Sequence, residues 1–131
     1  MNQPLFDDRD VSFLLYDVLD AESLCRLSYF ADHSRQTFDL FLQQSRKLAR
    51  EVVLPTYKPM DEFASRYEDG RVKVHPAVRE LLPMFAELGL LNAARPAEAN
   101  GQQLPTTIAS MASAYVMAAN LSAYGYAMLT T

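Results

Sequence analysis

The final quarter of the chain carries no formal charge. Residues 99–131 contain no Asp, Glu, Lys or Arg, whereas residues 1–39 hold eight acidic and three basic residues and residues 40–98 hold eight acidic and nine basic ones. A domain that must cover its own surface rarely includes an uncharged segment of this length. A helix that is uncharged on all faces is usually buried at the centre of a larger protein. We therefore expect this chain to be part of something bigger.

The pattern of Pro105–Leu129 predicts one long helix. Only seven of its 25 residues are Leu, Ile, Val, Phe or Met, and six Thr, Ser and Asn side chains dilute it. Because a membrane span needs about 20 predominantly apolar residues, we favour a buried helix over a membrane span. The helix carries a row of small residues at four-residue spacing, namely Ser110, Ala114, Ala118 and Ser122. Such a row would let another helix or strand approach closely. We expect this helix to leave an apolar face uncovered, through which the chain self-associates.

The rest of the chain predicts an all-α fold of about five or six helices. Ser34 is a suitable N-cap for a long helix that reaches the Val52–Val53 pair, and Gly89 is a natural stop for a helix that starts at Pro76. A helix over Val11–Leu19, capped by Asp10, would bury the stripe Val11, Leu14, Leu15, Val18 and Leu19. Met60–Tyr67 could continue as a helix after Pro55 and Pro59, and the alternation in Arg71–His75 favours a brief strand or an extended loop.

Composition excludes several classes of protein. The net charge of −4 and the pI near 5.1 do not suggest the basic face of a nucleic-acid-binding protein. A single cysteine, Cys25, rules out an internal disulfide and a zinc site made of cysteines alone. Met1–Asp10 carries three aspartates where a secretory signal would be basic. These features predict a cytoplasmic protein.

No catalytic or metal-binding constellation is visible in the sequence. His33 and His75 lie far apart, with no carboxylate or cysteine at ligand spacing. Cys25 has Arg26 beside it, a modest reason for a lowered thiol pKa, although a half-buried structural cysteine is the more frequent case. Arg46, Lys47 and Arg50 would be able to contact a phosphate, but cations at a helix end usually only solvate it.

Four stretches, read in order, resemble the N-terminal helical domain of the acyl-CoA dehydrogenases. "VSFLLYDVLD" resembles an N-terminal extension of the branch that includes methylmercaptopropionyl-CoA and long-chain acyl-CoA dehydrogenases. "SRKLAREVVLPTYKPMDE" resembles the second helix of the family, and "VRELLPMFAELGLL" with "AARPAEANGQQLP" is similar to the run "AELGLLG…PEEYGGQGL". "AANLSAYGYAMLTT" falls where the family has an alanine-rich helix. The glycine-rich "EYGGQGLP" is here "EANGQQLP", so two glycines are replaced and the loop conformation is in question.

The resemblance implies a domain plan and a function. Residues 1–33 would be the extension and residues 34–131 the N-terminal helical domain, and the middle and C-terminal domains, which hold FAD and the catalytic base, are absent. The implied reaction is α,β-dehydrogenation of an acyl-CoA thioester, with hydride passing to FAD and then electrons to an electron-transfer acceptor, in a homo-oligomer. Family positions that line the acyl-chain pocket fall on Tyr115, Ala119 and Tyr124. We expect no catalytic, cofactor-binding or metal-binding residue in this chain, which alone would be inactive and colourless.

Two other functions stay open from the residues themselves. A non-enzymatic helical domain would use the uncharged segment 105–129 to bind a partner. A membrane-associated protein would use the same segment as an anchor, which its polar side chains make less favourable.

Overall fold

The computed structural model describes residues 5–129 and is mostly helical, which confirms that part of the expected all-α fold. The described residues form six α-helices: α1 Asp8–Ser12, α2 Arg35–Leu48, α3 Tyr57–Glu62, α4 Ala77–Leu88, α5 Thr106–Ala119 and α6 Leu121–Met128. They also form a two-stranded antiparallel sheet of β1 Arg66–Glu68 and β2 Arg71–Lys73. Two π-helical turns, Phe13–Val18 and Ala49–Val53, directly follow α1 and α2. Short 3-10 turns lie at Ala21–Arg26, Ser28–Phe30, Leu54–Thr56 and Ala97–Ala99.

Helix α2 packs against α5 at the centre of the molecule. Ser34 and Thr37 form a capping box, since the Ser34 hydroxyl accepts from the Thr37 N–H and the Thr37 hydroxyl accepts from the Ser34 N–H. The inward face of α2 buries Phe38, Phe41 and Leu42. The helix then widens into the π turn Ala49–Val53 and tightens into a 3-10 turn that contains Pro55.

Helix α4 matches its prediction closely. Pro76 immediately precedes the helix, and Gly89 ends it with a left-handed φ of 77°. Val78, Leu81 and Phe85 are buried at the three- and four-residue spacing of one helix face.

The single amphipathic helix expected over Val11–Leu19 is wrong. Helix α1 is capped by Asp7, whose carboxylate accepts from the Arg9 N–H, and it gives way to a π turn at Phe13. Of the predicted apolar stripe, Leu15 is buried. Three other members are exposed, and they are Leu14, Val18 and Leu19. A π turn holds more residues than an α turn, so positions spaced for an α-helix no longer share one face.

The helix expected over Met60–Tyr67 is also wrong beyond Glu62. Phe63 is extended, and Arg66–Glu68 pairs with Arg71–Lys73 in a hairpin that places Tyr67 opposite Val72. Asp69 and Gly70 both have left-handed φ angles, as the tightest hairpin turns require. The brief strand predicted at Arg71–His75 is therefore present, and its partner was missed.

The single helix expected over Pro105–Leu129 is broken at Asn120. That residue is extended, with φ −162° and ψ 100°, and it separates α5 from α6. Its side-chain Oδ1 accepts from the Ala123 N–H and so caps the start of α6. In residues 5–129, none of the helices combines the length and hydrophobicity needed to cross a bilayer.

Candidate functional site

The three candidate acyl-pocket residues do not share one pocket. Tyr115 is only 1% exposed, and its ring meets that of Phe6 edge to face with centroids 5.5 Å apart. Ala119 is equally buried, at the last position of α5. Tyr124 is half-buried and lies beside a separate surface groove. Of the three, Tyr124 lines this groove, whereas Tyr115 borders a different cavity between α1 and α2.

The groove beside Tyr124 has a volume of about 520 Å³. The segment 90–95 forms one wall, and one face of α5 forms the other. The α5 positions follow helical spacing, and they are Thr106, Ala109, Ser110, Ser113 and Met117. Arg95 is the single charged residue in its lining. This size is within the range of small-molecule pockets, and the walls suit an uncharged chain or another apolar surface.

The outer face of α5 and α6 is uncharged and open to solvent. Ser110, Ala118 and Ser122 of the predicted small-residue row are exposed, and Ala114 is half-buried. Larger apolar side chains flank the row, since Met117 is 42% and Leu121 62% exposed. An uncovered face of this kind was predicted, and the structure confirms that the described residues do not cover it.

Asn120 organises the junction of α5 and α6, and the sequence analysis missed it. Besides capping α6, its Nδ2 donates to the Thr56 hydroxyl at 3.0 Å and to the Met60 sulfur at 3.3 Å. The side chain therefore joins the junction to the start and the interior of α3. The preference of asparagine for N-cap positions was the available signal.

The loop that precedes α5 contains two left-handed residues. Asn100 has φ 56° and Gln103 has φ 54°. Gly101 between them lies against the backbone of Arg95, where a Cβ atom would collide. The Gln103 side chain accepts from the Ala97 N–H and donates to the Tyr29 carbonyl, and the His33 ring Nε2 bonds the Gln102 carbonyl at 2.9 Å. The loop is thereby joined to the segment that precedes α2.

Neither Cys25 nor Tyr115 has the lowered pKa of an activated nucleophile. Burial, with a smaller contribution from Glu22, raises the pKa of the Cys25 thiol, so the lowering that Arg26 suggested is wrong. Burial and the nearby Asp8 charge raise the pKa of Tyr115. Within residues 5–129, no cluster of three or more His, Cys, Asp or Glu side chains is placed to hold a metal ion.

Gly89 and Gly101, the two glycines between α4 and α5, leave no space for a flavin phosphate. Phosphates approach the backbone where glycines leave space, but the Gln102 side chain fills the space at Gly89 and the Arg95 backbone fills that at Gly101.

Comparison of the chain with models of protein families, with curated proteins and with solved structures finds no match.

Proposed function

We propose that this chain is the N-terminal helical domain of an FAD-dependent acyl-CoA dehydrogenase. In this proposal it forms one wall of the acyl-chain pocket for the α,β-dehydrogenation of acyl-CoA thioesters, in a cytoplasmic homo-oligomer. A flavin held by other parts of the enzyme would supply the hydride acceptor. The catalytic base and the flavin contacts also come from outside this chain.

The observation that carries the proposal is the backbone of the loop before α5. The family run "EYGGQGLP" has glycines at the positions of Asn100, Gly101 and Gln103. The two positions where this chain has lost a glycine are the two that adopt left-handed φ angles. Glycine is the residue that such a conformation favours, so the loop has the shape that the family sequence would encode. Composition and helix periodicity cannot produce this agreement, because it concerns two single positions in an irregular segment.

The uncovered face of α5 and α6 supports the same proposal. An acyl-chain pocket shared between domains needs an uncharged face that this domain alone leaves open. In the proposal Tyr124 borders the acyl chain directly, beside Met117. Tyr115 and Ala119, both 1% exposed, shape that wall from beneath through the packing of α5.

The test is to purify the gene product from its native cells through an affinity tag on this chain. We expect a yellow protein with bound flavin that reduces an electron-accepting dye when an acyl-CoA is added. The isolated 131-residue chain, mixed with FAD and octanoyl-CoA, should be colourless after gel filtration and inactive. A native protein without flavin and without acyl-CoA-dependent dye reduction would contradict the proposal.

A helical interaction domain without enzymatic activity is the second candidate. The solvent-exposed row Ser110, Ala118 and Ser122 favours it, because small side chains let a partner helix approach closely. The flavin spectrum of the native protein separates the two candidates.

A further inference from the structure

Two arginines of the α2 region converge on one carboxylate of α1. Arg46 and Arg50 lie one helical turn apart. Arg46 Nη1 is 2.6 Å from one Asp8 oxygen, and Arg50 Nη2 is 3.5 Å from the other. The same Arg50 nitrogen also donates to the Phe6 carbonyl at 3.2 Å. Lys47, the third cation of this stretch, is exposed and makes no ion pair within the described residues.

In this arrangement the two guanidinium groups keep an excess positive charge and one unused hydrogen-bond donor. Among the described residues, Arg46 and Arg50 share a single carboxylate partner, so two positive charges face one negative charge. The Nε atom of Arg50 is buried and has no hydrogen-bond acceptor within residues 5–129. A buried donor without an acceptor is unfavourable, and native proteins rarely keep one without a reason.

A cavity of about 230 Å³ adjoins the Asp8 and Arg46 side chains of this cluster, whereas Arg50 lies outside its lining. It lies between α1, α2 and Tyr115, and Ser12, Gln43 and Arg46 contribute polar groups to its lining. This volume has room for several water molecules, so it suits a small molecule.

The other acidic residue in the lining, Asp39, is already engaged. Its Oδ1 accepts from the Tyr16 hydroxyl at 2.6 Å, and its Oδ2 is 3.8 Å from Arg35. Asp8 is therefore the carboxylate that competes for Arg46 and Arg50.

The Asp8 carboxylate is open to solvent, since its side chain is 48% exposed. The segment around it is fixed by Leu15, which is buried, and by the Tyr16 hydroxyl bond to Asp39. An exposed carboxylate is one that another anion can displace without moving that segment.

We propose that Arg46 and Arg50 form a binding site for a small oxyanion, such as a carboxylate or phosphate group, which Asp8 occupies when no ligand is present. A ligand with more acceptor oxygens than Asp8 would form more charge-assisted bonds to the two guanidinium groups, and such bonds are strong. The site goes beyond the proposed dehydrogenase role. It is separate from the groove beside Tyr124, and it needs no flavin.

The test is calorimetric titration of the full chain with inorganic phosphate and, separately, with succinate at constant ionic strength. We expect the Asp8→Asn variant to bind about tenfold more tightly than the wild type, because its competitor is removed. Arg46→Gln combined with Arg50→Gln should abolish binding. Lys47→Gln removes a neighbouring charge outside the site and should bind as the wild type does.

The two ligands distinguish a phosphate site from a carboxylate site, and binding of either one supports the proposal. Equal weakening by Lys47→Gln and by the double arginine variant would overturn it, since that result indicates unspecific charge screening. Absence of binding of both ligands by a folded Asp8→Asn variant, checked by circular dichroism, would overturn it as well.

Discussion

At the scale of single residues, Asn100 and Gln103 hold a backbone conformation that suits glycine. A residue with a Cβ atom in the left-handed region loses roughly 1–2 kcal/mol, part of which asparagine recovers. We predict that Asn100→Gly raises the free energy of unfolding by about 0.5 kcal/mol and that Asn100→Ala lowers it by about 1 kcal/mol. Urea denaturation measures both.

Gln103→Gly is the informative control for that pair. The substitution relieves the same left-handed backbone strain, but it also removes the hydrogen bonds of the Gln103 side chain to Ala97 and Tyr29. The two effects on the free energy of unfolding should nearly cancel. Stabilisation by Asn100→Ala would contradict the left-handed conformation at position 100.

Tyr16 gives the fold a dependence on alkaline pH. Burial and the hydrogen bond to Asp39 raise the pKa of Tyr16 above its ordinary value of 10.0. A raised pKa in the folded state means that the stabilisation is complete below pH 10 and is lost as the pH rises above it. We predict that Tyr16→Phe lowers the free energy of unfolding by about 1 kcal/mol at pH 8 and by less at pH 11. Tyr57→Phe, at a site that is 53% exposed, should have little effect at either pH.

At the scale of elements, the sequence predicts helices whose ends have clear signals. Ser34 with Thr37 starts α2, and Gly89 ends α4, because each supplies a side chain or a backbone angle that a helix end requires. The predicted amphipathic helix over Val11–Leu19 is wrong because its hydrophobic spacing assumes α-helical geometry. The backbone there changes to a π turn.

The candidate site was less predictable than the helices. Tyr124 follows the break at Asn120, so its position relative to Tyr115 depends on how α6 turns away from α5. That direction is set by the bonds of Asn120 to Thr56 and Met60, which lie about sixty residues earlier in the chain. Local periodicity cannot report a contact between such distant positions.

Asn120→Ala tests the break between α5 and α6. The variant loses the cap of α6 and the bond to Thr56, and both losses occur at a residue that is 1% exposed. We predict that the free energy of unfolding falls by about 1–3 kcal/mol. Asn120→Ser keeps a capping oxygen and should lose less, as measured by thermal or urea unfolding. Equal stability of the alanine variant and the wild type would show that the cap is not needed.

At the scale of the whole molecule, the uncharged face of α5 and α6 should cause self-association of the isolated chain. Contiguous exposed apolar surface promotes association, and two-fold pairing is the commonest closed form. We predict that light scattering at high concentration detects a dimer and that Ala118→Arg, at an exposed position, yields a folded monomer.

Ala112→Arg is the matched control for this prediction. Ala112 lies on the buried side of the same helix, with no exposed area, so a charge there should unfold the chain. A wild-type chain that stays monomeric at high concentration would contradict the predicted association.

The hairpin β1–β2 limits how copies of this chain can assemble. All residues of both strands are exposed, and each strand has one edge whose backbone groups lack a strand partner. Such edges can template the growth of a sheet from one molecule to the next. Here the strands are only three residues long, and β2 carries Arg71 and Lys73, so joining two β2 edges would bring like charges together. The short strands and the charges of β2 thus protect that edge of the hairpin against sheet-type aggregation, even though all of its residues are exposed.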